Sequence, residues 1–162
     1  MVSDVTKPEE LMHQRRKARE VALQVLYELD ILNIDSKEAV SLFWENFEAP
    51  EESRKFSTLL IEGTWGNREQ IDSLISSCSE HWSLARMSRV DKNILRMAVY
   101  ELIHCPDIPP KVTLNEAIDL GKLYGSENSG SFINGILDAV YLKLYKEDTN
   151  QNINEIAGSS DS

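Results

Sequence analysis

Apolar positions recur at helical spacing along almost the whole chain. Proline and glycine are scarce, with 5 and 7 residues respectively. Runs in which β-branched or aromatic residues alternate with polar ones are missing, so strands are not expected. The pattern therefore predicts an all-α fold of six to seven helices, arranged as two small helical subdomains. Helices are expected at about residues 8–32, from 35 onward, and at about 51–79, 88–105, 113–125 and 129–146.

Capping signals and glycines support several of these helix boundaries. Pro8 suits a first helical turn, and Asp35 and Ser88 each precede an acidic residue by three positions, which is the pattern of a capping box. Thr113 begins a similar pattern. Gly63 lies inside the long third helix, where glycine indicates a close helix–helix approach or a kink.

The same pattern divides the chain into one folded region with polar ends. We expect a single domain over 8–146, made of an N-terminal bundle and a C-terminal bundle. The flanking residues are polar, and a polar segment cannot bury enough apolar surface to fold. The expected units are a flexible N-terminus at 1–7, bundles at 8–80 and 83–146, and a disordered acidic tail at 147–162.

Charge is distributed unevenly along the sequence. The net charge is −10, yet Arg15, Arg16, Lys17 and Arg19, here called the basic arm, hold four of the 17 basic side chains. A local cationic cluster on an acidic chain can bind an anion at one place while the rest of the surface repels it. The arm therefore predicts contact with RNA or DNA, the alternative being a solvated run of charges. On a helical projection Arg15 and Arg19 lie together at the rim of the apolar stripe of the first helix.

The first helix carries two further apolar residues outside its main stripe. Leu23 and Tyr27 lie away from the stripe formed by Ala18, Ala22 and Leu29. They indicate either a second contact surface or a helix that is buried between two neighbours.

Catalytic and metal-binding patterns are not recognisable in the sequence. His13, His81 and His104 are scattered, and none has a second ligand at a helical ligand spacing. Cys78 and Cys105 fit neither a disulfide framework nor a metal site. We therefore expect neither an enzyme, nor a cofactor, nor a metal. The sequence also lacks an apolar run of about 18 residues, so we expect no membrane span. We expect a cytoplasmic protein.

The segment at 125–138 is the most distinctive part of the C-terminal half. A polar, glycine-flanked loop precedes Phe132, and such a loop can present backbone N–H groups and an aromatic ring to a base. Phe132 is equally compatible with an ordinary core position.

Three segments, taken in order and with their spacing, resemble the NusB family of transcription antitermination proteins. The resemblance extends over roughly residues 12–145. The segments are RRKAREVALQVLY at 15–27, VDKNILRMAVYEL at 90–102, and PPKVTLNEAIDLGK at 109–122 continuing into FINGILD at 132–138.

The resemblance implies an all-α fold of two helical subdomains and a function in ribosomal-RNA synthesis. Members bind the single-stranded boxA element of ribosomal-RNA transcripts together with the small-subunit ribosomal protein NusE. The complex joins RNA polymerase and supports antitermination. Some members form homodimers and others do not. The remaining alternative is a helical protein-interaction adaptor without specific RNA binding.

The resemblance also assigns roles to individual residues. Asn128 and Phe132 correspond to a second RNA-contacting region, and Tyr27 and Asp91 correspond to partner-binding positions. Asn128 stands where the family commonly has aspartate, and Gly130 and Ser131 replace larger side chains. The family's RNA-binding arm corresponds to Arg15, Arg16, Lys17 and Arg19.

Overall fold

Seven α-helices and one short 3-10 helix make up the part of the chain that the computed structural model describes. It describes the backbone of residues 7–159 and the side chains of residues 7–146, and it contains no strand in this range. The all-α prediction is therefore confirmed. The helices are α1 (Pro8–Leu32), α2 (Ser36–Asn46), α3 (Glu51–Gly66), α4 (Arg68–Cys78), α5 (Arg89–His104), α6 (Pro110–Tyr124) and α7 (Ser129–Ser159), with the 3-10 helix at Leu84–Arg86.

Local capping explains where several helices begin and end. Asp35 accepts a hydrogen bond from the backbone N–H of Lys37, which starts α2. Ser88 accepts one from the backbone N–H of Asp91 at 3.1 Å, which starts α5. Helix α1 ends at Asn33, whose φ of 52° lies in the left-handed region that asparagine tolerates better than most residues. The boundaries predicted from these signals are confirmed.

The long third helix that the sequence predicts is divided into α3 and α4. The helical path breaks at Asn67, which has φ −107° and ψ 19°. Gly63 allows a close approach of α3 to α5, because a Cβ at this position would overlap the ring of Tyr100. The close approach and the bend expected from the glycines therefore both occur, at neighbouring positions.

Two further boundaries differ from the sequence prediction. Helix α6 starts at Pro110, so Thr113 lies inside the helix, where it is buried and donates a hydrogen bond to Glu101 instead of capping. Helix α7 continues to Ser159 rather than ending near residue 146. The backbone is thus helical over 147–159, where a disordered tail was expected. Residues 160–162, like residues 1–6 of the expected flexible N-terminus, lie outside the described residues.

Helix α5 is the centre of the fold. It contacts α1, α3, α4, α6 and α7. The helix has buried residues on most of its faces, as expected for a helix that is surrounded by its neighbours. Helices from both halves of the chain contribute to one cluster of buried residues, so the division into bundles at 8–80 and 83–146 remains an interpretation. The most fully buried side chains of this core include Leu26, Leu29, Leu60, Ile61, Ile71, Ile75, Ile94, Leu95, Met97, Ile133 and Leu137.

A group of ion pairs fixes the start of α5 against α1 and α4. The carboxylate of Asp30 lies 2.8 Å from the amine of Lys92 and 3.5 Å from the guanidinium of Arg96. Arg96 also donates two hydrogen bonds, each of 2.8 Å, to the carboxylate of Asp72. Arg96 is only 6% exposed. Arg96 is therefore part of the interior packing, whereas Arg89, whose side chain is 51% exposed, lies at the surface. No helix among residues 7–159 is long and apolar enough to cross a membrane.

The Asp30 ion pairs predict a dependence of stability on pH. Burial alone would raise the pKa of Asp30, but the hydrogen bond and charge of Lys92, with the charge of Arg96, hold this pKa below its ordinary value of 3.8. A carboxyl group of lowered pKa stabilises the fold above its unfolded-state pKa, and this contribution is lost as pH falls through the folded-state pKa. We expect Asp30→Asn to reduce the free energy of unfolding by about 1.5–3 kcal/mol at neutral pH.

Urea unfolding of both proteins between pH 7 and pH 3 checks this prediction. The difference in the free energy of unfolding between the wild type and Asp30→Asn should stay constant down to about pH 4 and then decrease. A difference that remains constant over the whole range would contradict the assigned charge interactions. Glu45→Gln, an exposed change on α2, serves as the control and should have an effect within about 0.5 kcal/mol.

Candidate nucleic-acid and partner interface

The four cations of the basic arm have different environments on α1. The side chains of Arg16 and Arg15 are 51% and 25% exposed, and that of Arg19 is only 3% exposed. Lys17 is exposed and forms no ion pair with any residue whose side chain is described. The arm is therefore not one uniform cationic surface.

Arg19 is an interior residue, and this position does not support the RNA-binding role that the sequence predicts for it. Its guanidinium donates two hydrogen bonds to the carboxylate of Glu101 on α5, at 3.0 and 2.7 Å. Thr113 donates to the same carboxylate at 3.3 Å, and the ring of Phe56 lies 5.2 Å from the guanidinium carbon. A buried charge needs such a partner because its desolvation is costly. The Arg19 side chain is thereby occupied and has no surface to offer a phosphate.

Arg15 is half-buried beside this pair and remains accessible at its tip. Its guanidinium carbon lies 5.0 Å from the centre of the Phe56 ring, so one aromatic ring contacts two arginines. A long contact of 3.6 Å joins Arg15 to Asp107, whose side chain is 71% exposed. Such an exposed pair contributes little and can be exchanged for another anion.

Arg16 is bound to a carboxylate of α6. Its Nε and one terminal nitrogen donate to Glu116 at 3.2 and 3.0 Å. The hydrogen bond and charge of Glu116 raise the pKa of Arg16. The half-exposed guanidinium keeps donors that face solvent, but an RNA phosphate would compete with Glu116 for it. The sequence does not indicate this competition, because Arg16 and Glu116 are 100 positions apart.

Tyr27 lies in an apolar groove between α1, the start of α5 and the end of α6. The groove encloses about 640 Å³. Tyr27 is 38% exposed, whereas its predicted companion Leu23 is 5% exposed. Burial, followed by the charge of nearby Glu20, raises the pKa of Tyr124. The groove is lined by Lys17, Glu20, Val21, Leu23, Gln24, Tyr27, Glu28, Ile31, Val90 and Tyr124.

Asn128 and Phe132 lie together in a second pocket, of about 250 Å³, between the starts of α5 and α7. Asn128 is exposed, and its backbone carbonyl accepts from the N–H of Phe132 at 3.0 Å, which begins α7. Phe132 is half-buried and packs edge to face against Trp82, with ring centres 6.1 Å apart. The ring is therefore neither a fully buried core residue nor fully open.

Asp91 lines this second pocket and not the groove that contains Tyr27. It is 8% exposed, and its Oδ1 has no hydrogen-bond partner among the described residues. Its backbone N–H donates to Ser88, so the helix cap leaves the carboxylate free. The two residues that resemble partner-binding positions are thus in different, adjacent depressions.

Trp82 and Arg86 also line the pocket, and sequence reasoning missed both of them. They belong to the connector between α4 and α5, which carries no periodic pattern. The signal available in the sequence is a tryptophan followed four positions later by an arginine, just before the capping residue Ser88.

The groove lies close to both the arm and the pocket. Lys17 of the arm lines the groove. Val90 lines the groove and the next residue, Asp91, lines the pocket, while Tyr124 and Ser126, two positions apart, line the groove and the pocket respectively. The arm, the apolar groove and the pocket with aromatic walls are therefore neighbouring features of the fold.

The described residues contain no group of three or more His, Cys, Asp or Glu side chains that could hold a metal ion. Cys105 is buried, and this burial, followed by the charges of Glu101 and Asp107, raises the pKa of its thiol to about 11. The thiol therefore stays protonated at neutral pH, where a nucleophilic cysteine needs its thiolate.

Comparison with known proteins gives one consistent result. A family model described as the NusB family matches residues 16–142. The transcription antitermination protein NusB of Syntrophus aciditrophicus is 65% identical over 147 residues, which cover 91% of each chain. The protein of the same name from Desulfatibacillum aliphaticivorans is 47% identical over 137 residues, covering 85% of this chain and 96% of the relative.

Solved structures agree with the sequence relatives. NusB of T. maritima superimposes with a TM-score of 0.71 at 38% identity and covers 78% of this chain and 89% of its own. A crystal structure of the antitermination factors NusB and NusE in complex with double-stranded RNA gives a TM-score of 0.73 at 31% identity, covering 82% of this chain and 98% of the other.

Proposed function

The chain belongs to the NusB family of transcription antitermination proteins, and from this premise we propose that it binds the boxA element of ribosomal-RNA transcripts together with the ribosomal protein NusE. The bound complex acts with RNA polymerase in the cytoplasm. The protein contributes binding and no catalytic step. The related structure that contains both NusE and RNA supports this assignment over a protein adaptor that does not bind RNA.

The observation that carries the proposal is the combination of outward cations on the basic arm with the pocket of Asn128 and Phe132. Arg15, Arg16 and Lys17 supply the electrostatic part, because phosphate contacts provide most of the affinity without reading sequence. Asn128 and Phe132 supply a hydrogen-bonding amide and an aromatic edge, the groups that single-stranded bases require. The remaining surface is acidic, with a net charge of −10 for the chain, so RNA is confined to this path.

The groove of Tyr27 is the surface that we assign to NusE. Apolar walls and a half-exposed tyrosine are typical of the centre of a protein interface. Glu20 and Glu28 lie at the rim and favour a partner with basic residues at the matching positions. The groove adjoins the RNA path, so one complex can hold both ligands.

Salt dependence tests the RNA part of the proposal. On single strands the logarithm of the affinity changes with the logarithm of salt concentration by about −0.7 per neutralised phosphate, so contacts from Arg15, Arg16 and Lys17 predict a slope of about −2. The triple variant Arg15→Ala, Arg16→Ala, Lys17→Ala should bind boxA RNA weakly and with a slope near zero. Fluorescence anisotropy with labelled boxA and a scrambled RNA measures both quantities. An unchanged slope would locate the phosphates elsewhere.

Two variants sharpen this test. Glu116→Gln removes the carboxylate that competes for Arg16, and it should strengthen binding by about fivefold, because an ion pair with one partner at the surface contributes about 1 kcal/mol. Lys55→Ala changes an exposed lysine of α3 and should leave the slope unaltered. Titration with duplex boxA in parallel tests the strand preference: equal or tighter binding of the duplex would contradict recognition of a single strand.

Replacement of Tyr27 tests the NusE surface. Tyr27→Ala should weaken NusE binding by at least about tenfold, as expected for a tyrosine at the centre of an interface. Tyr141→Ala is the matched control, because Tyr141 on α7 is 37% exposed compared with 38% for Tyr27 and lies outside the groove. Calorimetric titration of NusE into each variant gives the affinities. Equal losses in both variants, or none in Tyr27→Ala, would reject the groove as the NusE site.

A further inference from the structure

A second groove lies along α1, next to the groove of Tyr27. It encloses about 340 Å³ between α1, the end of α2 and the start of α3, and we call it the aromatic groove. Lys17 and Val21 of α1 line both grooves, so α1 separates one from the other. On the α2 side the aromatic groove is lined by Phe43, Trp44 and Phe47.

The rings of the aromatic groove are held in place but only partly covered. Phe43 and Phe47 stack with ring centres 4.4 Å apart, and Phe43 packs edge to face against Trp44 at 5.0 Å. The indole N–H of Trp44 donates to Thr58 of α3 at 3.4 Å. Phe47 is nevertheless 52% exposed. Apolar side chains of a ligand would therefore meet a surface that is already formed, which lowers the entropic cost of binding.

An acidic segment borders the aromatic groove. Residues 45–52 contain four glutamates and no lysine or arginine, and all four glutamates are exposed. Glu51 forms a long ion pair with Lys55 at 3.7 Å, but Glu45, Glu48 and Glu52 form none with any described side chain. Glu48 itself lines the groove. This edge attracts cations and repels phosphates, so it favours a basic protein segment over RNA.

The fold indicates which kind of segment the aromatic groove can accept. Residues 7–159 contain no strand, so this range offers no sheet edge to which an extended peptide could add. A groove between helices with apolar walls and a charged edge suits an amphipathic helix, which carries apolar and charged side chains on different faces. Because Lys17 lies on the opposite edge and repels cations, the basic face of such a helix would turn towards Glu48.

We propose that the aromatic groove binds a basic amphipathic helix of a partner protein. The apolar side chains of this helix pack against Phe47 and Trp44, and its lysine or arginine side chains pair with the exposed glutamates of residues 45–52. Phe47 and these glutamates belong to none of the surfaces proposed above for RNA and NusE. The aromatic groove therefore adds a third contact surface to the protein.

Titration of the full-length protein with a synthetic peptide tests the proposal. The probe is an amphipathic helical peptide of leucine and lysine. One control peptide carries glutamate in place of lysine, and another carries central prolines that break the helix; both should bind at least about tenfold more weakly. Nitrogen-15 NMR reports the site, because each indole N–H gives its own signal. The probe should shift the Trp44 signal saturably and leave the Trp82 signal in place.

Replacement of Phe47 tests the apolar contact. Phe47→Ala should weaken binding of the probe at least about fivefold, and Phe47→Leu should retain most of the affinity. Leu142→Ala is the matched control, because Leu142 on α7 is 55% exposed and lies outside the aromatic groove. It should change the affinity less than about twofold. Circular dichroism of each variant verifies that the helices are intact.

A pair of triple variants tests the charge contact. Combined replacement of Glu45, Glu48 and Glu52 by glutamine should weaken binding of the probe about tenfold at low salt, and the loss should shrink at high salt because of screening. The control changes the net charge equally at exposed positions elsewhere and should lose less than about twofold. Its substitutions are Glu69→Gln, Glu80→Gln and Asp138→Asn.

Several results would overturn the proposal. The Trp44 signal could fail to respond to the probe, the peptide with prolines could bind as tightly as the helical one, or both triple variants could lose affinity equally. Another occupant would be identified if the wild type self-associates and Phe47→Ala does not, which indicates a second copy, or if Phe47→Ala loses affinity for boxA, which indicates RNA. The peptide titration contains neither RNA nor NusE, so its result is separate from the tests of the proposed function.

Discussion

The buried ion pair between Arg19 and Glu101 is the interaction on which the remaining structure depends. It joins α1 to α5, Thr113 of α6 donates to the same carboxylate, and Phe56 of α3 covers the guanidinium. Four helices therefore meet at one charged contact. Removal of either partner would leave an uncompensated charge in the core, which typically costs several kcal/mol. The orientation that this pair gives to α1 also determines which of the neighbouring cations face solvent.

The outward cations are consequently few and differ in availability. Lys17 is exposed without an ion pair among the described residues, Arg16 is half-exposed but held by Glu116, and Arg15 stacks on Phe56 with its tip near Asp107. On an acidic chain this gives a few separate cations rather than a broad patch, so an anion that binds at Arg15 or Arg16 must exchange an existing ion pair for a new one. In the RNA-binding role that we propose, the groove and the pocket would add the apolar and hydrogen-bonding contacts, because phosphate contacts alone do not read sequence.

Much of the fold could be predicted from the sequence, because local signals determine it. The start of α1 at Pro8 and the caps at Asp35 and Ser88 depend on residues that are neighbours in sequence. The close approach at Gly63 is made to Tyr100 of α5, but the glycine inside a helical pattern is itself a local signal of it. The site was less accessible because its determinants are long-range. Helical projection placed Arg19 at the rim of the apolar stripe, but its partner Glu101 lies 82 positions away. For the same reason, the meeting of Asp91 with Asn128 and Phe132 could not be read from spacing.

We propose that the outward cations of the arm contact RNA and that Arg19 does not. Arginine side-chain Nε–H signals in a nitrogen-15 NMR titration with single-stranded boxA RNA test it most directly, because each arginine reports separately. We expect the Arg16 signal to shift as its hydrogen bonds to Glu116 are exchanged for bonds to phosphate. The Arg19 signal should keep its position and its slow exchange with water, since its Nε–H is bonded to Glu101 at 3.0 Å in the interior. A saturable shift or a loss of protection at Arg19, with Arg16 unchanged, would contradict the account.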